Sequence, residues 1–60
     1  GPDGLDLYRT MFQQLNEHFP TGTLVFTESL PSQHEALTAI ATLNGFSQTE
    51  TSDFIQVFTS

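Results

Sequence analysis

His18 and His34 are the two histidines of the chain, and each has a glutamate beside it, Glu17 and Glu35. Imidazole and carboxylate are the ordinary nitrogen and oxygen donors for a divalent metal, and the same groups serve as general bases. A metal needs three or four ligands converging at about 2 Å, whereas neighbours in sequence on a helix point in different directions. No metal site and no cofactor is therefore expected. Serine, histidine and aspartate are all present, yet there is no Gly-x-Ser-x-Gly elbow, Walker loop or dinucleotide glycine pattern. The absence of cysteine removes thiolate catalysis, cysteine-ligated zinc and iron–sulfur ligation from this chain, and leaves the redox compartment open. Sixty residues also offer little volume for a small-molecule pocket, which usually needs about 300 Å3 or more. The expectation is a protein that is not an enzyme.

With catalysis set aside, surface chemistry is what remains. Arg9 is the only Lys or Arg, against Asp3, Asp6, Glu17, Glu28, Glu35, Glu50 and Asp53, for a net charge of −6. Phosphate backbones and anionic lipids would repel such a chain, so neither nucleic acid nor membrane is an expected partner. Another protein with a basic docking surface is, or else a second copy of the chain. No apolar run approaches the roughly 20 residues of a membrane-spanning helix, and no basic-then-apolar start suggests a signal peptide, which favours a cytoplasmic setting. Most of Phe12, Phe19, Phe26, Phe46, Phe54, Phe58 and Tyr8 are expected as core, because so small a domain has few other large side chains. Phe54, Ile55, Val57 and Phe58 put apolar groups on both faces of one strand, with one face left uncovered. Together with Glu28, Glu50 and Asp53 as acidic flanks, they form the expected partner-binding set.

The elements that position these residues follow from the apolar spacing. Leu5, Tyr8, Phe12, Leu15 and Phe19 recur in steps of three and four, one stripe along a helix that Asp3 or Asp6 caps and Pro20 ends. Thr23, Leu24, Val25, Phe26 and Thr27, after a Thr21-Gly22 turn, read as a buried strand. Ser32 with Glu35 fits a capping box that opens a second helix carrying Ala36, Leu37, Ile40 and Leu43. Asn44-Gly45 closes it, with glycine left-handed and Phe46 folding back on Ile40 or Ala41 in a Schellman-type contact. Residues 47–52, SQTETS, read as a loop or weak edge strand, and residues 53–59 as a final strand.

These elements predict a small α/β domain in αβαβ order, with a right-handed βαβ unit and a two-stranded parallel sheet. The rival is a three-helix bundle, in which Ser47 and Glu50 cap a helix presenting Phe54, Ile55 and Phe58. Gly1-Pro2 looks like the scar of a tag-removing protease, so residues 1–4 are expected to be a flexible remnant and residues 5–60 a single domain. A domain of this size buries only roughly 60% of its unfolded surface, and two strands leave open edges; both point to a partner.

Phe19-Pro20-Thr21-Gly22-Thr23-Leu24-Val25, Leu43-Asn44-Gly45-Phe46 and Asp53-Phe54 together resemble the last third of class I methyltransferase-like domains. Among these, the chain is most similar to the non-catalytic domain at the N-terminus of the anamorsin family, which serves cytosolic iron–sulfur assembly. The resemblance spans residues 5–59 and implies the αβαβ topology. The family's Gly-rich loop and cysteine clusters have no counterpart here, so neither methyl transfer nor cluster binding comes over to any residue. Three functions are thus expected as alternatives: a docking module of a larger multidomain protein, a structural piece of such a methyltransferase-like domain, and an acidic activator-type segment that folds on its partner.

Overall fold

The computed structural model describes residues 4–19 and 21–60. Helix α1 (Asp6–His18) leads to strand β1 (Leu24–Glu28), a 3-10 turn (Pro31–Gln33), helix α2 (His34–Leu43), and strands β2 (Ser47–Thr51) and β3 (Ile55–Thr59). The three strands form one sheet in the order β1-β3-β2, with β3 antiparallel to both neighbours.

This corrects the expected two-stranded parallel sheet, its αβαβ order and the three-helix alternative. The crossover through α2 leads from β1 to β2, and these two strands do run in the same direction. They are not adjacent, because the Ser52-Asp53-Phe54 turn reverses the chain and inserts β3 between them. Ser52 N–H closes that turn on the Ile55 carbonyl at 2.8 Å.

Both helices lie on one face of the sheet. Phe12 of α1 meets the rings of Phe46 and Phe58 edge-on, each centroid pair 5.3 Å apart. Around these rings Leu5, Val25, Leu37, Ile40 and Ala41 complete a buried cluster, with Tyr8, Met11 and Leu15 packed against it. The apolar stripe of α1 therefore reaches the core as its spacing predicts, except at Phe19. That residue has already left helical angles (φ −137°, ψ 67°) and stands exposed.

The helix ends differ in how well their signals hold. At α1, Leu5 occupies the N-cap position without a side-chain bond of its own and Asp6 is the first helical residue, while the other predicted cap, Asp3, lies outside the described residues. Pro20, the predicted stop signal, also lies outside them. At α2 the Ser32–Glu35 box gives way to the 3-10 turn, where the Gln33 side chain accepts the Leu30 N–H at 3.1 Å. The far end of α2 is a full Schellman motif. Gly45, at φ +85°, donates to the Thr42 carbonyl and Phe46 N–H donates to the Ala41 carbonyl, at 3.1 and 2.9 Å. Phe46 is delivered by that turn straight into the core.

Three polar residues, Thr27, Ser29 and Gln56, are carried into the interior. Gln56, fully buried on the central strand, places its amide nitrogen 3.1 Å from the His34 carbonyl and 3.0 Å from Thr38 Oγ1, and bonds Gln48 Oε1 as well. The amide thereby ties β3 to both α2 and β2.

Candidate functional site

Strand alternation divides the sheet into two unlike faces. Val25, Thr27, Gln56 and Phe58 point into the helical layer, and Leu24, Phe26, Glu28, Ile55 and Val57 point away from it. On β2, the register slips between Gln48 and Glu50: Gln48 pairs with Phe58 and Glu50 with Val57, leaving Thr49 as the extra residue of a β-bulge. Strict alternation from Gln48 would send Glu50 inward. The bulge instead aims Glu50 at the outer face, beside Val57.

The outer face is an apolar strip with acidic borders. Phe26 is 66% exposed and Leu24 56%, while Val57 between its two neighbouring strands is only 7% exposed. Phe26, Ile55, Val57, Glu50, Thr51 and Ser52 line a shallow depression of about 170 Å3. It is too small and too open for the usual small-molecule site. Glu28 and Glu50 stand at either side of the strip.

Of the residues expected to bind a partner, the fold brings Glu28, Glu50, Ile55 and Val57 onto this face. Asp53 and Phe54 sit exposed in the β2–β3 turn at one end of it. Phe58 does not belong to the set: it points the other way and is fully buried against Phe12. Leu24 and Phe26, read from sequence as parts of a buried strand, are the two most exposed apolar residues of the face. The signal for them is the same two-sidedness that marked β3, since Leu24-Val25-Phe26 cannot bury both faces when both helices lie on one side.

His18 closes the last turn of α1 and His34 opens α2, where Nδ1 lies 3.4 Å from Thr51 Oγ1. Among the described residues no three His, Asp or Glu side chains are grouped to hold a metal ion, and no helix is long and apolar enough to cross a membrane. No family model, curated protein or solved structure matches the chain.

Proposed function

We propose that the chain is a non-catalytic docking module of a larger protein, binding a partner protein through the uncovered outer face of its sheet. The observation that carries this reading is the apolar strip in which Leu24 and Phe26 stand exposed beside Ile55 and Val57, on the sheet face opposite the two helices. Exposed apolar residues scattered singly are normal, but a contiguous strip rimmed by polar groups marks an interaction surface. Glu28 and Glu50 set the sign of the partner. With a net charge of −6 and one arginine, already paired with Asp6 at 2.7 Å, the module favours a basic docking surface.

The test is co-purification of the domain from extracts of its own cells, comparing Phe26→Asp with Leu43→Asp. Leu43 is even more exposed, but on α2, away from the sheet face. Basic proteins lost by Phe26→Asp and kept by Leu43→Asp support the reading. Partners that survive Phe26→Asp, or are lost equally by both, overturn it.

A further inference from the structure

We infer that the open edge of β1 is where this module takes its partner, as an added strand carrying two apolar residues and one basic residue at alternate positions. The inference rests on the docking reading and names its geometry. Ser29 N–H bonds the Phe54 carbonyl at 2.8 Å and Ser60 N–H bonds the Thr23 carbonyl at 3.0 Å. In an antiparallel ladder, residues that exchange bonds with the partner strand alternate with residues whose groups face away. Thr23, Val25, Thr27 and Ser29 therefore serve β3, and Leu24, Phe26 and Glu28 direct their N–H groups to the open side. The Leu24 and Phe26 carbonyls point the same way, while the Glu28 carbonyl accepts the Tyr8 hydroxyl at 2.7 Å. Tyr8 thus marks one end of the free edge.

The other edge of the sheet is unlike it. β2 carries the bulge at Thr49, no apolar side chain and a bond from Thr49 Oγ1 back to Val57, the devices by which sheet edges are blunted against pairing. β1 has no bulge, proline or lysine: its five residues keep regular register, and its one charge is Glu28.

The chemistry of the occupant follows from alternation. Leu24, Phe26 and Glu28 present their side chains on the outer face beside the same edge, so an added strand meets them with every second residue. Two apolar residues match Leu24 and Phe26, and a lysine or arginine matches Glu28. A second copy of this chain brings another −6 charge, and its one arginine is already paired with Asp6, so the occupant is a basic partner and not a self-pairing β1.

Ser60 lies against Thr23, at the head of β1, so a tether on the C-terminus starts beside this edge. The experiment fuses to Ser60 about twelve Gly/Ser residues, with a reach of about 19 Å against about 17 Å for five strand residues. The tether ends in Val-Thr-Val-Thr-Lys or in the reverse order Lys-Thr-Val-Thr-Val, and control fusions replace Lys with Glu. Tethering raises the local peptide concentration to the order of millimolar, and amide exchange is read by NMR. The expected result is about tenfold slower exchange at Leu24, Phe26 and Glu28 in one lysine fusion, and at least about fivefold less slowing in its glutamate control. Perturbation of the Phe26, Ile55 and Val57 side chains without slowing of the three amides overturns edge pairing and leaves face docking standing. No response at face or edge in any fusion overturns both. Slowing at the same three amides in the untethered chain as its concentration rises, with a dimer in sedimentation, overturns the basic occupant in favour of a second copy.

Discussion

Phe26 and Val57 face each other directly across the β1–β3 ladder, yet the phenylalanine is two-thirds exposed and the valine almost wholly buried. Position in the sheet accounts for the difference. Val57 sits on the central strand with Phe26 on one side and Glu50 on the other, whereas Phe26 sits on the edge with nothing beyond it. The ring covers its neighbour and remains itself uncovered.

Phe26 and Phe58 are therefore expected to respond very differently to truncation. Phe26→Ala removes one cross-strand contact and costs about 0.2–1 kcal/mol. Phe58→Ala opens a cavity beside Phe12 and costs about 3–5 kcal/mol, enough to unfold a marginal domain. Urea melts of the two variants check this, and comparable losses at both positions would contradict the division of the sheet into an inner and an outer face.

Thr27 is buried opposite Gln56, and its hydroxyl has no hydrogen-bond partner among the described residues. Thr27→Val keeps the shape and removes the cost of burying that group, so stability is expected to rise by about 1 kcal/mol. A fall in the urea midpoint would show that the hydroxyl is satisfied after all.

Gly45 adopts a positive φ at the close of α2, and an added Cβ there meets nothing nearer than Asn16 Oδ1 at 3.5 Å. The cost of Gly45→Ala thus comes from the backbone and amounts to about 1–2 kcal/mol. Gly45→Asn is expected to lose less, because asparagine tolerates the left-handed region better. Thermal melts of both variants check the order, and equal losses would point to a steric cause.

Much of this architecture was legible in the chain because each signal coincided with a burial event. The step of three and four that ends in Phe12 and Leu15, the glycine that returns Phe46 to the core, and the apolar runs at β1 and β3 all report contacts with the interior. β2 carries no apolar signal of burial. Its five side chains are exposed, and what holds it is backbone pairing to β3 together with polar bonds from Gln48 to Gln56 and Thr38, which leave no apolar periodicity in SQTET. Without β2 the C-terminal run has no reason to reverse direction, so β1 and β3 read as parallel. Of the candidate site, charge and two-sided strands pointed to Ile55, Val57, Glu28 and Glu50, which the fold brings onto one face. Phe58 was placed with them because, without a register, the two faces of β3 cannot be told apart. The bulge that turns Glu50 outward is a feature of pairing and has no sequence signature here.

Glu28 is the one charge on edge strand β1. Replacing it in Glu28→Val leaves Leu24, Val25, Phe26, Thr27 and valine as an uncharged strand with an open side, the composition that favours edge-to-edge association. Sedimentation across a concentration series is expected to show the unmodified chain as a monomer and the variant as a growing population of dimers or larger species. A variant that stays monomeric at millimolar concentration would contradict the account of β1 as an edge held in check by charge.

The most direct measurement is a nuclear Overhauser spectrum of the isolated chain, read at Phe26. Opposed residues that exchange no backbone bonds bring their α-carbons to about 4.5 Å in an antiparallel pair. A strong cross-peak between the α-protons of Phe26 and Val57 is therefore predicted, with ring contacts from Phe26 to Val57 and none to Phe12 or Leu37. Ring contacts to either helix, or an α-proton cross-peak missing between the two strands, would contradict the uncovered outer face on which the docking proposal depends.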